Sequence, residues 1–267
     1  MAILFEYAQS TLELSAGDEK YLAETVLAYE RLNARDDVTA EMKNHILSGQ
    51  ALLALHGAYP GNTEKLLLSA IRANPDDVQL RNGLGQFYDQ NNDWISALDV
   101  YVGALTVAHD VGHDTAAILN NIGVSLMMQG RTKEALVKFD TVVKAKPRMD
   151  IYANNRRMAL LLLGRSRDAF QTQDDISSAR LYNDAGFIAA SRGELDKARG
   201  FYQKAISISP VYYKQAEQNL ANLSEQMVQQ EQLIPVPHVK AKLKPQPKNP
   251  RQTIVSAIPT PSLKAVP

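Results

Sequence analysis

Cysteine is absent from this chain, which excludes disulfides, thiolate zinc sites, thiol nucleophiles and cysteine-linked lipids for the sequence as given. An excess of one charge is absent too, since 29 Lys and Arg face 29 Asp and Glu. A balanced chain has no global field to draw in nucleic acid or an anionic membrane, so no nucleic-acid partner is expected. Long apolar runs are missing as well. The nearest approach, Met158 to Leu163, is six residues long and lies between Arg157 and Arg165, against the ~20 needed to cross a bilayer. No transmembrane segment is expected. Before the apolar patch Ala2 to Phe5 there is no basic residue, and Glu6 interrupts it, so no secretory leader is expected either.

Catalytic signatures are equally scarce. The chain holds no Gly-x-Ser-x-Gly elbow and no glycine-rich loop ending in Gly-Lys-Ser or Gly-Lys-Thr. The acid pairs Asp36-Asp37, Asp76-Asp77 and Asp174-Asp175 fall at helix boundaries, where carboxylates cap helix starts. His109 and His113 stand four apart, a spacing that holds a metal on a helix. Gly112 between them, and no Glu beside the first His, argue for a solvated turn between repeats instead. The expectation is a non-enzyme with no cofactor, no metal and no small-molecule substrate.

Proline is scarce in most of the chain and crowded at one end. Eight of 12 prolines lie between Leu233 and Pro267, together with six Lys or Arg and no acid. That composition reads as a disordered basic tail, which leaves the rest of the chain with 23 basic and 29 acidic residues. The four remaining prolines, Pro60, Pro75, Pro147 and Pro210, are spaced as helix terminators.

What is present is a period. From Leu22 to Ile234 apolar residues recur at three- and four-residue intervals, the mark of helices. Leu84-Gly85, Tyr88, Ala97, Tyr101 and Ala104 align with Ile122-Gly123, Leu126, Ala135, Phe139, Val142 and Pro147. Ala185-Gly186, Ala189, Ala198, Tyr202, Ala205 and Pro210 form a third copy. These offsets match the tetratricopeptide pattern, and the chain resembles that family. Glycine at position 8 and alanine at position 20 remove bulk where two helices of a pair cross; aromatics are expected to fill the wider ends. The packing set is therefore Gly85, Ala97, Gly123, Ala135, Ala169, Gly186 and Ala198. Ala169 belongs to a degenerate copy in which Arg157 replaces the crossing glycine. Its second helix reads as shortened, because only 29 residues separate Ala169 from Ala198 and residues 171–175 read as a turn. His45 to Asn74 reads as a divergent copy upstream.

The expected fold is an all-α right-handed solenoid of about five helix pairs. Residues 1–43 form an N-terminal cap, 44–232 the solenoid and 233–267 the tail. Lys20 to Ala34 and Tyr212 to Leu233 carry the apolar stripes that cover the two open ends.

Position 5 of the first helix is Asn82, Asn120, Asn154 and Asn183, and position 6 adds Asn121, Asn155 and Asp184. In a tetratricopeptide array these positions face the inner, concave surface. Amides carry donors and an acceptor, so such a row suits the backbone of an extended peptide, with Val124, Met158 and Phe187 one turn on to receive its side chains. The same residues also suit a structural ladder between helices, and the sequence leaves both readings open. Only Arg156 and Arg157 approach the basic positions of the chaperone-tail-binding subset.

Two stretches carry a closer resemblance. Arg180 to Gly193, followed by Ser209 to Ala221, is similar to TadD, the tetratricopeptide component of bacterial tight-adherence (Flp pilus) machines; Asn154 to Gly164 is similar to it too. The resemblance spans roughly 116–223. It implies a scaffold that helps assemble the secretin and other pilus parts, facing the periplasm at the outer membrane as a lipoprotein. The sequence as given carries neither leader nor lipobox cysteine, which leaves two expectations open: a periplasmic or outer-membrane-associated chain whose start lies upstream of the one given, or a cytoplasmic one, for which the alternative is a general co-chaperone or regulatory adaptor.

Overall fold

In a computed structural model the described residues are 19–59, 61–170, 175–211 and 213–233. Among them there are twelve α-helices and no strand. They are α1 (Glu19–Asn33), α2 (Ala40–Ala54), α3 (Thr63–Ala73), α4 (Val78–Gln90), α5 (Trp94–Asp110) and α6 (Ala116–Met128). There follow α7 (Thr132–Ala145), α8 (Asp150–Leu162), α9 (Ser166–Ala169), α10 (Asp175–Ser191), α11 (Leu195–Ile208) and α12 (Lys214–Leu233). The chain divides into units 1–227 and 228–267, and the helix array lies in the first. The expected tail lies outside the described residues except for Leu233, which ends α12.

Successive helices pack as pairs, α2 with α3, α4 with α5, α6 with α7, α8 with α9 and α10 with α11. The first helices also touch one another, α2 against α4, α4 against α6, α6 against α8 and α8 against α10. They form one continuous layer and so one continuous face. This is the tetratricopeptide-type solenoid of five helix pairs that the period predicts.

Side-chain size explains the crossings. A Cβ added to Gly123 would fall 2.5 Å from Phe139 Cε1, and one on Gly186 2.6 Å from Tyr202. On Gly85 it would overlap the Tyr101 ring. Each aromatic thus lies on the glycine itself, not at the wider ends of the pair, because a glycine α-carbon gives a flat ring a seat that no other residue leaves open. Ala97, Ala135 and Ala198, all fully buried, let the partner helix come that close. Tyr29 of α1 seals the N-terminal end in the same way over Gly49 of α2. At the other end α12 lays Ala216 and Leu223 into the core, with Leu220 and Met227 packed beside Ala189, Ala198 and Tyr202.

The turn inside each pair also repeats. Asn92, Gly130, Gly164 and Gly193, each seven residues after the crossing position, take positive φ values of 59°, 81°, 75° and 74°. The next residue then donates back into the helix, as in Arg131 N to Leu126 O at 2.9 Å and Glu194 N to Ala189 O at 2.9 Å. This is the left-handed helix end that glycine and asparagine adopt at least cost.

The degenerate pair keeps that turn and loses its second helix. Four residues, Ser166–Ala169, are all that remains of it. Of the expected turn, residues 171–174 lie outside the described residues, and Asp175 opens α10. An aromatic row crosses the vacated space, with Phe170 and Tyr182 centroids 5.1 Å apart and Tyr182 and Phe201 6.2 Å apart. The segment holding the two close histidines departs from its expected turn: α5 runs on to Asp110, so His109 sits in a helix and only His113 lies in the turn. The extra residues before the next repeat lengthen a helix whose last turn buries Ala108.

Candidate partner-binding face

The first-helix face carries the asparagines, and most of them are bonded to each other. Asn121 Nδ2 donates to Asn82 Oδ1 at 3.0 Å, and Asn155 Nδ2 donates to Asn120 Oδ1 at 2.8 Å. Asn219 Nδ2, on α12, donates to Asn183 Oδ1 at 2.9 Å. In the first two links a position-6 amide donates to the position-5 oxygen of the preceding first helix, and Asn219 serves Asn183 in the same way from the cap. Asn120 Nδ2 joins two links by reaching Asn121 Oδ1 at 3.4 Å. Asn120 and Asn183 are buried, Asn82, Asn121 and Asn155 half-buried. Such amides hold neighbouring repeats in register, because a buried amide left without its partner would carry its full desolvation cost.

The ladder has two gaps. Position 6 of α4 is Gly83, which has no side chain to donate to Ser48, the position-5 residue of α2. Position 6 of α10 is Asp184, a carboxylate that accepts and cannot donate to Asn154 of α8. Asn154 Oδ1 takes Arg157 Nη1 instead, at 2.7 Å, and Asp184 accepts Asn183 Nδ2 at 3.3 Å.

The face is open where the ladder is missing. At Gly83 a groove of about 910 Å³ runs between α2, α4 and the start of α6, floored by Gly49, Leu52, Leu55, Gly83 and Ile118. His45, His56, His113, Gln79 and Gln86 rim it. At Asp184 a polar recess of about 430 Å³ separates α8 from α10, lined by Asn154, Asn155, Arg157, Met158, Arg180 and Asp184 among others. Phe187, 58% exposed, stands one turn beyond Asp184 and edges a further recess against α12. Met158 is buried in the wall and Val124 is half-buried, so of the three apolar neighbours Phe187 presents the largest free surface.

Electrostatics single out the same place. Desolvation raises the Asp184 carboxyl above its ordinary range, against the Asn183 hydrogen bond and the charge of Arg180. Asp89 is raised by burial too, but its Oδ2 receives the Tyr101 hydroxyl at 2.9 Å, and this tie joins α4 to α5 inside the pair. His109 Nδ1 lies 3.4 Å from Asp110 on an exposed turn of helix, whereas His113 Nδ1 meets the Asp114 carbonyl oxygen at 2.9 Å. Among the described residues no group of three His, Cys, Asp or Glu side chains could hold a metal ion.

The structure divides the residues of the expected row. Asn82, Asn120, Asn121, Asn155 and Asn183 spend amide groups on one another or on α12, while Asn154 and Phe187 keep free surface. Gly83, Arg180 and Asn219 belong to the face and were not singled out by sequence reasoning. The available signal was the identity of position 6, where an acid and a glycine replace an amide.

A stack of helix pairs with a glycine under an aromatic ring at each regular crossing defines a helical-repeat protein. Its repeat is of the tetratricopeptide type: the tetratricopeptide repeat family model matches residues 115–138, which cover α6 and the first half of α7. A solved tetratricopeptide repeat protein from Parabacteroides merdae is similar in fold, with a TM-score of 0.52, 18% identity and 84% of each chain covered. PilW, a type IV pilus biogenesis factor, is similar with a TM-score of 0.56 and 14% identity over 82% of this chain and 98% of its own. PilF of Pseudomonas aeruginosa gives a TM-score of 0.51 and 12% identity, covering 83% of this chain and 98% of its own. No curated protein sequence matches the chain.

Proposed function

We propose that this chain is a non-enzymatic scaffold that binds protein partners through its first-helix face and assists assembly of a Flp-type pilus or its secretion machinery. The observation that carries the binding part is the pair of openings at Gly83 and Asp184, where a face otherwise closed by its own amides offers polar side chains and apolar floor. Continuous grooves on rigid helices are the form in which a helical array receives an extended or helical segment. The pilus part is supported by the TadD-like stretches 180–193 and 209–221 and by the likeness in fold to PilW, a pilus biogenesis factor. In this reading the chain divides by role into cap, solenoid and tail at 43 and 232, with the basic tail a tether.

The test is crosslinking of the full chain in its own bacterium, followed by identification of the captured proteins and by deletion of the gene. Capture of secretin or pilin subunits, with loss of surface pili on deletion, is the expected result. Capture of heat-shock chaperones in a strain that still builds pili overturns the pilus assignment in favour of a general adaptor.

A further inference from the structure

The second helices form the other side of the array. Among the described residues, α3, α9 and α11 expose no large apolar side chain there. In the middle of the array α5 and α7 do: Ile95 is 86% exposed, Val102 60% and Val137 62%. Ile95, Asp99, Val102 and Thr106 recur along α5 at helical spacing and are all exposed, so they make one outward stripe. Lys133, Val137, Thr141 and Lys144 make the matching stripe on α7. Charge divides between the same two helices. Asp99 and Asp110 are on α5, which has no Lys or Arg, whereas α7 holds Lys133, Lys138 and Lys144. The acids of α7 are occupied, Glu134 by Arg131 at 2.7 Å and Asp140 by Arg156 at 2.5 Å. Asp99, Lys133 and Lys144 have no ion-pair or hydrogen-bond partner among the described residues.

A surface with an acidic apolar stripe beside a basic apolar one holds its own complement. Because α5 and α7 are second helices of consecutive pairs, they run in the same direction. A two-fold axis placed between and along them sets α5 of one copy on α7 of the other, twice over. Ile95 and Val102 then cover Val137, and Asp99 meets Lys133, in both halves of the contact. We infer that two copies of this chain join back to back through α5 and α7. An anionic lipid surface would be repelled by Asp99 and Asp110, and a partner of one charge would leave one stripe unmatched; a second copy matches both. The apolar side chains of the two stripes gain by leaving water together. This pairing leaves both first-helix faces uncovered, so a dimer displays two of them and strengthens its hold on any partner that is itself repeated. It does not depend on what that face binds.

Sedimentation of the full chain over a range of concentrations is the test. The native chain is expected to form a dimer with a micromolar Kd, as a modest interface gives, and to loosen as salt is raised. Val137→Lys, Asp99→Lys and Lys133→Asp are changes at exposed positions, and each acts twice in the dimer. Each should weaken association by about tenfold or more with no fall in thermal midpoint. The decisive sample is an equal mixture of the Asp99→Lys and Lys133→Asp chains. Alone, each variant sets like charges together in both contacts. In the mixed dimer one contact has its charges exchanged and the other is native, so every acid meets a base and association returns. A native chain that stays monomeric overturns the inference. So does a dimer that withstands these substitutions, and so does one weakened by either charge reversal that the mixture fails to restore. The scaffold reading stands in each of those cases, because the first-helix face takes no part in the contact.

Discussion

The guanidinium of Arg192 donates to the main-chain carbonyl of Met127, 65 residues earlier in the chain. The same Nη2 lies 3.1 Å from Thr132 Oγ1, and Nη1 lies 3.4 Å from Glu194 Oε1. Arg192 stands in the turn between α10 and α11; Met127 and Thr132 flank the turn between α6 and α7. One whole repeat lies between these turns in sequence, yet they meet, because the repeat between them has a four-residue second helix. The arginine spans the missing width. Its side chain is only 8% exposed, and desolvation pulls its pKa below the ordinary value.

Arg192→Met should therefore destabilise the array, although methionine retains most of the buried length. Charge-assisted bonds to a carbonyl and a hydroxyl disappear, for about 1–3 kcal/mol in urea unfolding. Hydrogen exchange should accelerate across α10 to α12 before α4 and α5, since the lost tie holds the C-terminal pairs to the middle of the stack. Uniform acceleration along all helices would show that the contact is incidental.

Two glycines in helices should respond in opposite directions to the same methyl group. Gly123→Ala drives a Cβ into the buried Phe139 ring and should cost about 1–3 kcal/mol, the range for overpacking a full core. Gly103, on α5, has nothing within 4 Å of its would-be Cβ. Gly103→Ala should stabilise by about 0.5–1 kcal/mol through helix propensity and the lower entropy of the unfolded chain. Paired thermal melts of the two variants check both signs.

These two kinds of feature differ in how far the sequence reveals them. Gly123 and Phe139 are legible because a size constraint is written into each residue separately and repeats with the helix pair, and Ala135 between them confirms the register. The short α9 was legible from the spacing of Ala169 and Ala198. Arg192 was not: nothing near it in the chain says that a helix is missing elsewhere, and an arginine in a turn is ordinarily solvated. The asparagine row was half legible. Its positions on one face follow from helical period, but whether an amide faces a partner or another amide depends on alignment across gaps of 35, 36 and 39 residues. A shift of one helical position would separate Asn155 from Asn120, and side-chain reach at that precision is not contained in a pattern of residue types.

Asparagines inside and outside the ladder should separate cleanly. Asn120 is buried, donates to Asn121 and accepts from Asn155, so Asn120→Ala removes one donor and leaves another without its acceptor. A loss of about 1–3 kcal/mol is expected in urea unfolding. Asn154 is exposed, and Asn154→Ala should stay within about 0.5 kcal/mol of the native chain. Equal losses at the two positions would mean that Asn154 is bound into the stack as tightly as its neighbours.

Asp184 makes the stability of the array depend on pH in a direction that can be stated. Its folded-state pKa is raised, chiefly by desolvation, so the folded chain holds this proton more tightly than the unfolded chain does. Stability from this group is then lost as pH rises from the unfolded value through the folded one, and above both the carboxylate weighs fully against folding. Asp184→Asn removes that charge and adds a donor facing Asn154, so at neutral pH it should raise stability by about 1 kcal/mol, the net worth of one hydrogen bond. As pH falls through the carboxylate range the native side chain becomes a carboxylic acid with a proton of its own to donate, and the difference between variant and native chain should shrink toward zero. Urea titrations of both chains at neutral pH and at pH values below the carboxylate range measure it. A difference that stays constant across that range would mean that Asp184 is hydrated equally in both states, and that the opening between α8 and α10 costs the fold nothing.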